Sequence, residues 1–155
     1  MAPHTSNWDF VIGRLAYFVI NVKVRFLIKK EAFKPPFGGI FKSMGGIPVD
    51  RSKNNRMVDY VVGLFKNSES LYVVITPEGT RKPNPHWKKG FHYIAQKAGV
   101  PIALGFLDYS RKEGGVGKVM IPGVDVDKDL REIKEFYKDK KGRHPERFML
   151  GLDEV

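Results

Sequence analysis

Leu71 to Thr76 (LYVVIT) is an unbroken run of apolar and β-branched residues that stops at Pro77. Such a run suits a central strand buried on both faces of a sheet. Around it, apolar residues recur at helical spacing. Met57, Val58, Val61, Val62, Leu64 and Phe65 form one stripe, and Phe91, Ile94, Ala95 and Ala98 form another that Gly99 can end. Helices alternating with short apolar strands define an α/β fold, here one domain with a mixed, mostly parallel central sheet flanked by helices. No internal repeat or domain boundary interrupts residues 1–155.

The remaining elements follow from the same periodicities. Ser6 or Asn7 can cap a helix from Trp8 to Asn21 that is apolar nearly all round and therefore reads as buried. Val24 to Ile28 and Ile47 to Val49 read as strands, separated by the Lys34-Pro35-Pro36 break and a short apolar segment, Phe37 to Met44. Asn54 or Asn55 can cap the Met57 helix. Pro101 to Leu107 and Lys118 to Ile121 read as strands joined through a Glu113-Gly114-Gly115 turn. Asp129 and Glu132 make a capping pair for a last helix carrying Leu130, Ile133, Phe136 and Tyr137.

Charge and composition narrow the chemistry. Lysine and arginine exceed aspartate and glutamate by 27 to 17, a net charge of +10 that suits nucleic acid, phosphorylated metabolites or an anionic membrane surface. Cysteine is absent, which excludes disulfide scaffolds, thiolate nucleophiles and thiolate metal sites. The most apolar stretch, Val11 to Ile28, carries Arg14, Lys23 and Arg25 and does not read as a membrane span.

Four constellations carry candidate chemistry. In His4-Thr5-Ser6-Asn7-Trp8-Asp9 the two ionisable side chains would stand roughly 140° apart on one regular helix. They can meet if His4 lies on the incoming loop, where Asp9 would accept one ring N–H and leave the other nitrogen as a base. An ordinary surface pair has the same spacing. Gly45 to Arg51 places an arginine at a strand end, either facing a phosphate or paired with Asp50. Pro77-Glu78-Gly79-Thr80-Arg81 follows the best strand, where open α/β sheets gather functional groups. Gly79 permits close backbone approach, Thr80 offers a hydroxyl, Arg81 an anion fork, and Glu78 reads as a carboxylate that holds a cationic side chain. An exposed turn is the plain alternative. Arg81 to Lys97 holds five basic residues and no acid, with His86, Trp87 and His92 among them, and reads as a solvated face with no metal site.

Together these blocks resemble the glycerophosphate and lysophosphatidate acyltransferase family. His4 to Asp9 is similar to its histidine-four-residues-aspartate block, Gly46 to Arg51 to its glycine-to-arginine block, Pro77 to Arg81 to its Pro-Glu-Gly-Thr-Arg block, and Val100-Pro101-Ile102 to its valine-proline strand. Lys30-Glu31 and Lys88-Lys89-Gly90 also resemble recurrent family features.

The resemblance implies transfer of a fatty acyl group from acyl-CoA or acyl carrier protein to a lysophospholipid hydroxyl, with 1-acylglycerol-3-phosphate the leading acceptor. It makes His4 the general base, Asp9 its partner and Arg51 a phosphate contact. Glu78, Gly79, Thr80 and Arg81 become the acceptor-phosphate block, with Lys30 or main-chain N–H groups near Gly79 stabilising the oxyanion. No metal or prosthetic cofactor is implied. Phe10, Phe18, Phe37 and Phe41 are candidates for an acyl channel, at least two of them equally readable as core. The resemblance also implies an N-terminal segment before His4 and a peripheral place on the cytoplasmic side of an anionic membrane. Thr76 departs from the apolar or aromatic residue usual before the proline.

A second reading requires no chemistry. The net charge, Trp87 and the basic tail from Lys138 to Arg147 suit a non-enzymatic module that binds anionic lipid or nucleic acid. The basic residues are spread, however, and no nucleic-acid motif is present, so nucleic acid is not an expected partner.

Overall fold

Parallel strands bring their carboxyl ends to one edge, and three strands here do so. In the computed structural model, which describes residues 1–50 and 54–152, Val24–Lys29 (β1) lies between Gly46–Val49 (β2) and Tyr72–Val74 (β3), parallel to both. The run from Leu71 to Thr76 is therefore an edge of this sheet and not its centre. Only three of its residues pair, and Tyr72 is 57% exposed. Just beyond the ladder, the Ile75 carbonyl accepts the main-chain nitrogen of Met1 at 2.8 Å.

A second sheet pairs Ile102–Asp108 (β4) with Glu113–Met120 (β5), antiparallel. Ala2 bridges Phe106 in parallel and donates its N–H to the Gly105 carbonyl at 3.2 Å. The first two residues thus stitch the parallel sheet to the antiparallel one, and His4 emerges from that seam. Helices Trp8–Val19 (α1), Gly38–Ser43 (α2), Asn54–Lys66 (α3), Gly90–Ala98 (α4) and Val126–Phe136 (α5) complete a mixed α/β fold.

Two apolar clusters hold the layers. Val58, Val61 and Val62 of α3 meet Ile94 of α4 against Leu27, Val73 and Ile75. Leu130, Ile133 and Tyr137 pack with Ala2, Leu104 and Trp87. Tyr137 is 1% exposed, and its hydroxyl donates to the Gly105 carbonyl at 2.8 Å, so its burial leaves no unpaired polar group.

Several local expectations change in the folded chain. Glu113 to Gly115 do not form the turn; they lie in β5 opposite Asp108, Leu107 and Phe106. A Cβ at position 114 would come within 2.7 Å of the Leu107 side chain, which packs over the bare glycine. The turn is organised by Asp108, whose Oδ1 accepts the Ser110 N–H at 2.9 Å. The last helix is capped by Asp125, whose carboxylate accepts from Asp127 N and Lys128 N at 3.0 Å. Asp129 turns inward instead, taking the Gly123 N–H at 2.6 Å and the His92 ring at 2.7 Å. α1 is not buried all round, for only Asp9 and Gly13 of its residues are, while Leu15, Phe18 and Val19 are 60%, 77% and 80% exposed.

Asp129 therefore has a structural task. Asp129→Ala strands the His92 ring and the Gly123 N–H without acceptors and lowers stability by roughly 2–3 kcal/mol. Chemical denaturation measures this directly, and an unchanged midpoint would contradict the assignment.

Candidate active site

The approach to α1 is folded back on itself by the second residue of that helix. Asp9 is fully buried, and its Oδ2 accepts the main-chain N–H groups of Thr5 at 2.7 Å and Ser6 at 2.8 Å. Ser6 Oγ in turn accepts the Trp8 N–H at 3.2 Å. This turn sets His4 ahead of the helix and over the carboxylate, with Nδ1 at 3.5 Å from Asp9 Oδ2. The spacing that forbids a meeting within one helix permits it here. That distance is within ion-pair range but long for a hydrogen bond, and Nδ1 has no hydrogen-bond partner.

Asp9 Oδ1 accepts the Tyr109 hydroxyl at 2.7 Å. Burial alone would raise the Asp9 pKa. The neighbouring His4 ring, the Tyr109 hydroxyl and the two main-chain N–H groups outweigh it and hold the carboxyl below its ordinary value. Burial and the bond to Asp9 push the Tyr109 phenol well above its usual range.

The Pro-Glu-Gly-Thr-Arg block reaches the histidine from the end of β3. Glu78 is buried, and its Oε1 accepts the His4 main-chain N–H at 2.9 Å. It orients the histidine's backbone, in place of the cationic side chain expected from the pattern. Burial drives its carboxyl pKa up against that hydrogen bond. Gly79 has φ +69, a conformation other residues rarely adopt, and a Cβ there would press on Lys88. Its N–H already serves the Thr76 carbonyl at 3.2 Å, so it is not a ready oxyanion donor. Asn84 ties the loop together by donating to the carbonyls of Glu78 at 2.8 Å and His86 at 3.1 Å. Thr80 Oγ1 accepts the Lys82 N–H at 3.1 Å.

Arg81 completes the arrangement by directing Nε–H at His4 Nε2 over 3.5 Å. That contact is as long as the one from Nδ1 to Asp9, and it leaves Nε2 facing a donor and Nδ1 facing a carboxylate, the surroundings that favour a proton on Nδ1. An open cleft of about 370 Å³ lies here, lined by His4, Thr76, Gly79, Thr80, Arg81 and Lys82. The structure thus brings together His4, Asp9, Glu78, Gly79, Thr80 and Arg81. Lys30 stands exposed in the 3-10 turn Lys30–Phe33 after β1 and does not line this cleft. Arg51 lies outside the described residues. Of the candidate acyl-channel rings, Phe10 packs edge-on against Phe26 at 5.0 Å and Phe41 packs against Phe33, while Phe18 and Phe37 are exposed.

Residues that the motifs do not mark close the site from the far end of the chain. Tyr109 follows β4, the kind of strand-end position that could have marked it. Its N–H donates to the Lys141 carbonyl at 2.9 Å. Gly142 presses so closely on Thr5 that a Cβ would lie 2.8 Å from the Thr5 side chain, and Thr5 Oγ1 accepts the His144 N–H at 3.2 Å. Arg143 stands 5.5 Å from the centre of the Trp8 ring. Among the described residues no group of three histidines, aspartates or glutamates is placed to hold a metal ion. No helix among them is long and apolar enough to cross a membrane.

A family model described as Acyltransferase matches residues 1–103, about two-thirds of the chain. No curated protein and no solved structure matches it.

Because the Asp9 pKa is lowered, its stabilising contribution is complete above the ordinary carboxylate pKa. It is lost as the pH falls through the lower folded-state value. Tyr109→Phe removes one donor and moves that loss to higher pH, with a neutral-pH destabilisation of roughly 2 kcal/mol. Denaturation followed across the acid range tests this; an acid limb superimposable on the parent's would contradict it.

Proposed function

Because the chain belongs to the acyltransferase family, we propose that it moves a fatty acyl group from acyl-CoA or acyl carrier protein to a lysophospholipid hydroxyl. The acceptor that fits best is 1-acylglycerol-3-phosphate. The observation that carries this reading is the meeting of His4, Asp9 and Arg81 at one cationic cleft, with Nε2 turned outward and Nδ1 toward a buried carboxylate.

The chemistry follows from that arrangement. The acceptor's phosphate draws Arg81 away from the imidazole, and the acceptor hydroxyl takes its place at Nε2. His4 removes the hydroxyl proton as the oxygen attacks the thioester carbonyl carbon, forming the new C–O bond. Asp9 balances the imidazolium, and the three donors around it, the Thr5 and Ser6 N–H groups and the Tyr109 hydroxyl, keep it ionised and in place. Arg81 and Lys82 offer positive charge to the tetrahedral oxyanion, an effect worth about 3 kcal/mol when well aimed. Collapse breaks the C–S bond, and the departing thiolate recovers the proton from His4. The substrate hydroxyl is the nucleophile, so no protein serine or acyl-enzyme is required, and the atoms balance without a metal or prosthetic group.

The exposed apolar residues of α1, with a net charge of +10, support a peripheral position against an anionic membrane surface on the cytoplasmic side. Arg51, whose motif position matches the family's phosphate contact, remains part of this reading as an acceptor-binding residue, whereas Lys30, exposed and away from the cleft, does not.

The test is thiol release from a long-chain acyl-CoA, run with and without lysophosphatidate. Release depends on the acceptor, and His4→Ala lowers kcat roughly 10²–10⁴-fold while the far-ultraviolet circular dichroism is retained. Parental turnover by that variant would remove the base from the mechanism. Arg81→Ala raises KM for the phosphorylated acceptor about tenfold or more; an unchanged constant would reject its phosphate role.

A further inference from the structure

The two oxygens of Asp9 keep different company. Oδ2 takes the Thr5 and Ser6 N–H groups and faces His4 Nδ1, whereas the hydrogen bond to Oδ1 comes from the Tyr109 hydroxyl at 2.7 Å. Tyr109 lies beyond the residues that the family model matches, so the likeness to the family assigns it no role. The chain nevertheless fixes it on both sides. Its N–H donates to the Lys141 carbonyl at 2.9 Å, and the next residue, Ser110, gives Asp108 Oδ1 its N–H at 2.9 Å and its hydroxyl at 2.6 Å. Gly142 packs against Thr5, whose N–H is one of the donors to Asp9, so this clamp reaches the carboxylate from two directions.

The clamp bears on the reaction through charge. A buried carboxylate shares its negative charge among its donors, and each donor lessens its pull on a proton elsewhere. The Tyr109 hydroxyl, which burial and Asp9 keep protonated, therefore draws on the same charge that stabilises an imidazolium at His4. Only the neutral ring can take the acceptor's proton, so a weaker pull leaves the base free at lower pH. The hydroxyl also fixes the carboxylate plane, which keeps Oδ2 toward the ring. We infer that Tyr109 is a positioning residue of acyl transfer, which holds the Asp9 carboxylate to His4 while tempering it, and so sets the lower pH limit of the reaction. This rests on the acyl-transfer reading and adds to it the control of its base. Other charged groups face the pair. Glu78, with the Met1 main-chain nitrogen near it, sits at the His4 backbone, Arg81 at Nε2 and Lys82 along the cleft. Arg143 acts on the Tyr109 phenol, and His144, its ring beside Glu146, meets Thr5 through its N–H. All of these are shared by the parent and its tyrosine variants, so they set where the histidine titrates and not the difference that one hydroxyl makes.

A nuclear magnetic resonance titration of the full chain reads this without turnover. Of the four histidines, His4 is the one whose ring signals vanish in His4→Ala. Its titration midpoint rises by about half a pH unit or more in Tyr109→Phe, because Oδ1 loses its donor and the carboxylate's charge falls on the ring. In Asp9→Asn the midpoint falls instead. Tyr137→Phe removes another inward hydroxyl, the one bonded to the Gly105 carbonyl at 2.8 Å, and leaves the His4 midpoint at the parental value. That variant separates a lost hydrogen bond in general from the loss of this one. In the thiol-release assay the acid limb of kcat/KM, which reports the base of the free enzyme, moves upward with the midpoint in Tyr109→Phe. An unmoved or lowered midpoint in Tyr109→Phe, an equal rise in Tyr137→Phe, or a kcat/KM limb that stays stationary while the midpoint rises would overturn the role. A raised midpoint in a chain that transfers no acyl group upholds the hold of Tyr109 on the pair and rejects the transfer reading instead.

Discussion

A carboxylate removed from water costs several kcal/mol unless donors surround it, and Asp9 is such a group. Its two oxygens are met by the main-chain N–H groups of Thr5 and Ser6 and by the Tyr109 hydroxyl, with His4 alongside. Satisfying that one charge bends the chain before α1, sets the histidine in front of the helix and ties the end of β4 to the N-terminal segment. The site is a consequence of how the fold accommodates this burial.

The arrangement also draws on the carboxyl-terminal third of the chain, although the motifs all lie earlier. The family match ends at residue 103, yet Tyr109 holds Asp9 and the stretch from Lys141 to His144 closes over Thr5. The edge of the site is thus built from two distant parts of the chain, locked by contacts such as Gly142 against Thr5 that tolerate little added volume. Arg147 extends the same surface and adds positive charge to it.

Periodicity made the helices and strands legible, because α3 and α5 each commit one apolar face to one core cluster and α4 packs between the two. It was less informative where a partner from elsewhere decides the outcome. LYVVIT has the composition of a central strand, but β1 takes that place and Met1 meets the chain just past its short ladder. The glycines at 114 and 115 resemble a turn only when the opposing Leu107 is unknown, and Asp129 resembles a cap only when buried His92 is unknown. For the candidate site, local motifs singled out His4, Asp9 and the Pro77–Arg81 loop, which the fold brings together, because each block is short and chemically distinctive. Tyr109 carries no such local mark, since its role depends on a contact made a hundred residues away. Glu78 was legible as an orienting group but not in its object, which is the histidine's backbone.

The most direct test of the account is the protonation pattern of the His4 ring in its neutral form, read from imidazole nitrogen chemical shifts. A carboxylate that orients this ring predicts the proton on Nδ1 and a bare Nε2, with the preference diminished in Asp9→Asn. A ring protonated on Nε2, or a tautomer balance indifferent to Asp9, would contradict it.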